Sequence, residues 1–251
     1  MDYNTLLLTT TEIGFQLLKN GAETYRVEDS ITHVLNAYSS KLSDINIFAI
    51  PSCLIVSFTT QEGITYTKQK RVLNRLQNID RIIQINSLCR FISKNVPELS
   101  YIDNELRRIE NLGRYSHKME LLANSVCACV FTLFYGGNLN DAISGFIIGG
   151  LLKFSTSLLK KFQMNSFTTT MFNSFIIASL AILSYKIGFA ARYDSIIIGC
   201  YMLLVPGVAL TNSARDFIAG DVLSGTIRLS EALLVATSIA LGSGLALSIL
   251  R

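Results

Sequence analysis

Charge is scarce in this chain. Of its 251 residues only 16% are charged and half are hydrophobic, and the mean hydropathy is +0.40. That balance is too apolar for an ordinary soluble enzyme and fits an integral membrane protein. Histidine is nearly missing, with His33 and His117 the two copies, and the five cysteines (Cys53, Cys89, Cys127, Cys129, Cys200) form no C-x-x-C pair. So thin a supply of ligands predicts no metal and no cofactor, and the cysteines read as reduced, small apolar side chains. No G-x-S-x-G, H-E-x-x-H or phosphate-cradling glycine loop occurs, so no catalytic residue is assigned and the chain does not read as an enzyme. Ser52-Cys53 after Pro51 has a nucleophile, but a strand cysteine among apolar neighbours is a packing residue. The first residues, Met1-Asp2-Tyr3, lack the basic start of a secretion signal, and Leu6-Leu7-Leu8 is a short apolar patch.

The charge that exists is unevenly placed. Residues 1–120 carry 14 Lys+Arg against 13 Asp+Glu, and residues 121–251 carry 8 against 5. The near-neutral front half is no electrostatic footprint for nucleic acid. In the back half the basic residues flank apolar runs, as membrane anchors do. The expectation is a small soluble α+β domain over 1–118 followed by a helical membrane domain over 119–251.

In the front half, apolar positions Leu6, Leu7, Ile13, Leu17 and Leu18 predict a helix that stops at Asn20-Gly21. A second helix follows with Tyr25 or Val27, Ile31, Val34, Leu35 and Tyr38 on one face. Glu23 and Arg26 are spaced as an i,i+3 surface ion pair or as part of a docking site. Residues 45–50 and 53–59 are β-branched and aromatic and are punctuated by Pro51, which predicts two strands. A third begins after the Gln61-Glu62-Gly63 turn. Ile79–Phe91 and Tyr101–Arg114 read as helices.

In the back half five apolar spans are expected, at about 119–138, 141–159, 165–185, 194–212 and 231–250, each near the ~20 residues that cross a ~30 Å hydrocarbon core. Lys153 lies in the second span and is expected to snorkel towards Lys160 and Lys161. Counting basic flanks, Arg114, Lys118, Lys153, Lys160, Lys161, Arg215 and Arg228 face Lys186, Arg192 and Arg251, which predicts a cytoplasmic N-terminal domain. Gly145-x-x-x-Gly149, Ala178 with Ala181, and Gly242-x-Gly244 are small-residue patterns for close helix packing. Asp141, after Gly136-Gly137-Asn138, is either a helix cap or a proton-coupling carboxylate.

The strongest signal is the stretch from Leu204 to Asp221. An apolar run ends at Pro206-Gly207, which removes a helix hydrogen bond and adds backbone freedom. Thr211, Asn212, Arg215, Asp216 and Asp221 follow, with Arg228 beyond. A helix broken beside polar and charged groups is how transporters present free N–H and C=O groups to small charged substrates. Arg215 either takes a substrate carboxylate or pairs with Asp216 or Asp221 as a latch.

Gly21-Ala22-Glu23-Thr24-Tyr25-Arg26-Val27-Glu28-Asp29 resembles the signature of the threonine/serine exporter family. So do Gly136-Gly137 with Asp141, and Pro206-Gly207 with Thr211-Asn212, Arg215-Asp216, Gly220-Asp221, Gly225, Arg228 and Glu231-Ala232. The resemblance implies a proton-coupled secondary exporter in the cell membrane, moving threonine/serine-type amino acids or small dicarboxylates such as succinate. Fused members carry a second membrane module. This sequence, ending at Arg251, resembles the longer subunit of a split pair, which implies a small integral-membrane partner besides the lipid bilayer and a small-molecule substrate; a homo-oligomer is left open. On this reading Pro206, Gly207, Thr211, Asn212, Arg215, Asp216, Asp221 and Arg228 bind substrate or gate. Asp141 and Asp216 are the proton-coupling candidates. Glu23, Thr24, Tyr25, Arg26 and Glu28 form the N-terminal signature. The rivals are a membrane-anchored hydrolase or sensor with its activity in residues 1–118, and an assembly scaffold without a transport path.

Overall fold

The computed structural model describes residues 2–38, 42–73, 75–113, 115–162 and 164–250. Arg114 and Arg251, counted above as flanking charges, lie outside the described residues, as does the side chain of Lys160. In chain order the elements are α1 (Tyr3–Lys19), α2 (Thr24–Tyr38), β1 (Leu42–Ile50), β2 (Cys53–Thr60), β3 (Thr65–Arg71), α3 (Ile79–Asn95), α4 (Leu99–Glu110), α5 (His117–Phe134), α6 (Leu139–Lys161), α7 (Ser166–Lys186), α8 (Tyr193–Tyr201), α9 (Gly207–Ala219) and α10 (Val222–Leu250). The chain divides into two compact units, residues 1–113 with 211–228 and residues 114–210 with 229–251.

The first unit is a three-stranded antiparallel meander, in the order β1-β2-β3, packed with helices. In β2 every second residue is buried, and Leu54, Val56 and Phe58 reach zero exposure. That alternation aims one face of the sheet at the helices. They meet Leu6, Ile13 and Leu17 of α1 and Val27, Ile31, Val34 and Leu35 of α2 in one core. The Pro51-Ser52 turn sets the β1–β2 register, pairing Ile50 with Cys53. The last helix ends earlier than the expected Tyr101–Arg114. Asn111 closes α4 by donating its N–H to Arg107 O, and the Arg81 guanidinium takes the carbonyls of Glu110 and Leu112. Leu112 N–H then bonds Ile109 O rather than Arg108 O, a tightened last turn that ends the α-helical ladder.

Among the described residues three helices are long and apolar enough to cross a membrane: α6 over Leu139–Leu159, α7, and α10. Five spans were expected, and the other two expected regions have the following build. α5 has 18 residues but opens on the polar His117-Lys118-Met119-Glu120. The expected span at 194–212 is two helices. α8 has 9 residues, about 14 Å of rise, roughly half of the hydrocarbon core. Its end tightens into turns, Leu203 N–H bonding Cys200 O and Leu204 N–H bonding Tyr201 O, and α9 begins beyond Pro206. α10 starts at Val222, ahead of the expected 231, because the polar Ser224, Thr226, Arg228 and Ser230 continue the helix.

Close approach in this unit depends on small residues. A Cβ on Gly149 would stand 2.7 Å from Ala128 Cβ, and one on Gly145 would collide with Thr132, both on α5. Gly242 of α10 meets the Met171 carbonyl of α7 in the same way. Lys153 does not snorkel away from the packing: its ammonium lies 2.6 Å from Glu120 Oε2 at the start of α5.

Candidate functional site

The site begins where α1 stops. Asn20 turns its side-chain amide back onto Gln16 O (2.7 Å), and Ala22 N–H closes onto Leu17 O (3.0 Å). Gly21 sits at φ +94°, and a Cβ there would approach Leu76 O at 2.9 Å, so the turn requires glycine. The result is a tight loop, 20–24, whose last residue, Thr24, opens α2.

α9 and the start of α10 supply the groups that hold this loop. Asn212, Ser213 and Asp216 form the buried stripe of α9. Gly220, at φ +92°, reverses the chain, with Asp221 N–H on Asp216 O (2.8 Å), and Ser213 Oγ ties the two helices through Gly225 O (2.7 Å). Asn212 donates to Gly21 O (3.3 Å) and Arg228 Nη2 donates to Ala22 O (2.8 Å). Arg228 Nε bonds Asp216 Oδ2 at 2.9 Å, with the two side chains 9% and 0% exposed. Arg215 pairs with Glu23, a carboxylate only 7% exposed that also lies 2.7 Å from Arg26 Nε. Loop 20–24 is thus clasped by one amide and two guanidiniums from a segment about 190 residues away.

The two carboxylates of the clasp differ in setting. Asp216 is fully enclosed, and burial pushes its carboxyl above the usual carboxylate range, while the Arg228 guanidinium and the Thr24 N–H pull the other way. Its Oδ1 has no hydrogen bond of standard geometry. Glu23 is shared between Arg26 and Arg215, two cations on one anion. The cluster joins α9 and the start of α10 to loop 20–24 through paired charges, with Arg215 half exposed and Glu23 enclosed.

Other predicted residues lie elsewhere. Glu28 accepts the Ala49 N–H of β1 (2.8 Å), and burial pushes its carboxyl upward. Tyr25, Arg26 and Asp29 line a surface groove of about 470 Å³ with His33, Arg90 and Lys94. Pro206 and Gly207 open α9, where Leu210 N–H bonds Pro206 O; Thr211 is exposed, and Asp221 immediately precedes α10. Asp141 is 0% exposed and accepts three main-chain N–H groups, from Asn138 (2.9 Å), Ala191 (2.8 Å) and Arg192 (3.1 Å). Asn138 Oδ1 returns a bond from Asp141 N–H, so the aspartate fastens the start of α6 to the turn before α8. Cys89, with burial pushing its thiol up to about 12, is no nucleophile. Among the described residues no three His, Cys, Asp or Glu side chains converge as a metal site needs.

Glu23 with Arg26 and Arg215 with Asp216 were each legible as neighbours in sequence. The pairing of Glu23 with Arg215 was not, and neither was the use of the Gly21 and Ala22 carbonyls, which carry no side-chain signal. The family model of the threonine/serine exporters matches residues 9–250, from α1 through the clasp to the end of α10. This chain belongs to the threonine/serine exporter family. The curated "Threonine/serine exporter" of Corynebacterium glutamicum is 21% identical over 246 residues, covering 94% of this chain and 50% of that relative. The chain thus spans about half the length of the curated relative it matches. No solved structure matches it. The threonine/serine exporter family is one of transporters rather than enzymes, and with three helices among the described residues long and apolar enough to span, the chain is placed in a membrane.

Proposed function

We propose that this chain is a gating subunit of a secondary-active exporter of small polar metabolites, with the loop 20–24 clasp as its latch. Threonine and serine head the substrate list because of the family, and small dicarboxylates such as succinate stand as the second class. The export is proton-coupled, the location is the cell membrane, and the N-terminal domain faces the cytoplasm. A small integral-membrane partner is part of the same reading. So is a five-crossing path, in which the expected spans at 119–138 and 194–212 join the three long helices.

The observation that carries it is the Asp216–Arg228 pair on loop 20–24. A buried carboxylate whose neutral form is favoured takes up a proton readily. Protonation takes the charge from Asp216, loosens Arg228, and with it the hold on Ala22 O. Such a charge-gated hydrogen bond is a two-state element of the kind a proton gradient can bias.

The test is efflux from proteoliposomes holding the chain and its partner, loaded with labelled threonine, serine or succinate, with and without a pH gradient. The expected result is gradient-dependent loss of one substrate, abolished by Asp216→Asn and retained per folded molecule by Asp141→Asn. Normal efflux by Asp216→Asn removes the proton step. No loss of any substrate from folded complex removes the exporter reading.

A further inference from the structure

α4 and α9 sort their residues in opposite ways. In α4, Ile102, Leu106 and Ile109 are buried while Arg107, Arg108 and Glu110 are exposed, the order that contact with water demands. In α9 the buried stripe is Asn212, Ser213 and Asp216, and the exposed side carries Ala214, Phe217 and Ile218. Ile218, at 87%, is the most exposed large hydrophobic side chain among the described residues. The first turns of α10 repeat the inversion: Ser224, Gly225 and Arg228 are buried, and Val222 and Leu223 are 60% and 55% exposed. A helical corner with its polar side inside and its apolar side outside is not built for water.

Its charges say what lies outside. Residues 211–228 carry Arg215, Asp216, Asp221 and Arg228. Asp216 and Arg228 are enclosed and paired with each other, and Arg228 also donates to Ala22 O. Arg215 is half exposed with its guanidinium on Glu23, which a long stem allows. Asp221, half-buried, stands at the turn ahead of Val222. Ionisable groups at a lipid boundary turn inward and pair with one another or with backbone carbonyls, and both happen here. α10 supplies the second argument. It is one unbroken helix of 29 residues and is apolar enough to span. At about 44 Å it is longer than the ~30 Å hydrocarbon core and matches the ~40–45 Å of a bilayer with its headgroup layers. A helix of that length reaches from one headgroup layer to the other, so Val222 and Leu223 continue the lipid-facing surface of the span.

We propose that the outer face of the α9–α10 corner, made by Ala214, Phe217, Ile218, Val222 and Leu223, is embedded in the interfacial layer of the lipid bilayer. Residues 213–228 then form a membrane anchor in the stretch between the expected spans at 194–212 and 231–250. The polar inner face of the same corner holds loop 20–24 through Asn212, Arg215 and Arg228. One short segment thus has lipid on one side and the loop on the other, and it ties the N-terminal domain to the membrane surface. The inference rests on the chain's place in a membrane and not on the exporter reading.

The chain contains no tryptophan, so a single introduced indole reports on its own surroundings. The experiment puts Ile218→Trp and Leu223→Trp, one at a time in the full chain, into phosphatidylcholine vesicles with and without lipids brominated near the headgroup end of the acyl chains. Leu245→Trp, from an exposed position late in α10, is the lipid reference, and Leu73→Trp, 72% exposed in the connection before α3, is the water reference. All four replaced side chains are exposed, so the fold tolerates the larger ring. The expected result is that brominated lipid removes about half or more of the emission from Ile218→Trp and Leu223→Trp, as from Leu245→Trp, while iodide in the water quenches them less than Leu73→Trp. Emission from both that iodide quenches as fully as Leu73→Trp, and that brominated lipid leaves alone, overturns the proposal. Emission shielded from both quenchers means that protein, here a second copy of the chain, covers the face, and overturns it equally. The measurement needs no substrate, gradient or partner, so a failed efflux assay does not alter its reading.

Discussion

Asp141 and Asp216 are both fully buried carboxylates beside helix starts, yet they are held in different ways. Asp141 is surrounded by backbone: three N–H groups converge on it, and no side-chain cation is needed. Asp216 is held mainly by a side chain, Arg228, which divides its guanidinium between the carboxylate and Ala22 O. Main-chain donors cannot leave without unfolding the turn. A guanidinium can swing away. The contrast teaches that burial of an acid is not in itself a functional sign: what neutralises the charge decides how firmly it is held.

The largest test of that contrast is Arg228→Met. It strips Asp216 of its cation and Ala22 O of its donor, and should lower stability by about 3 kcal/mol near neutral pH. Adding Asp216→Leu should recover most of the loss, since an apolar pair replaces a buried ion pair with little penalty. Thermal unfolding in detergent measures both, and a double variant as unstable as the single one would make the clasp a packing site.

Asp141→Asn comes next. One carboxylate oxygen becomes an amide that cannot accept from a backbone N–H, so about 1–3 kcal/mol should be lost. An unchanged unfolding temperature would mean that the turn before α8 does not depend on it.

The smallest expected effect, and the sharpest, is Asp216→Asn at neutral pH. Because the folded protein raises the Asp216 carboxyl above its ordinary value, the folded state keeps a proton that the unfolded chain has already released. Its contribution to stability is therefore complete below the ordinary carboxylate value and falls as pH rises through the raised one. Asparagine does not titrate. The variant should match or slightly exceed the parent near neutral pH and fall behind it as pH drops into the acid range, read from paired melting curves. The opposite slope would mean that Arg228 outweighs burial and that the anion is the preferred form.

Much of the first unit was legible in the sequence. The i,i+3/i+4 spacing that ran from Leu6 to Leu18, and from Val27 to Leu35, produced α1 and α2, and alternation with Pro51 and Gly63 as punctuation produced the three strands. The back half was legible as apolar helices, but not in their lengths. Counting uncharged residues joined α8 to the start of α9, because hydropathy does not register where backbone hydrogen bonds stop. The residues from Ser213 to Ser230 fell between two expected spans with no helix assigned, since their buried stripe has meaning only with loop 20–24 in place. Glu23 and Arg26 suggested a surface pair; the enclosure of Glu23 depends on α9, which is distant in sequence.

The sequence alone determined that the chain enters a membrane, that its front half mixes strands with helices and that no helix runs through Pro206, because composition, periodicity and a missing N–H act locally. It also carried the family signature in residues that have no local reason to be together. Only the tertiary structure decided which charges meet. Glu23 chose Arg215, Asp216 chose Arg228 and Asp141 chose the backbone, because the energy of a charge depends on the few ångströms around it, and those are filled by chain from elsewhere.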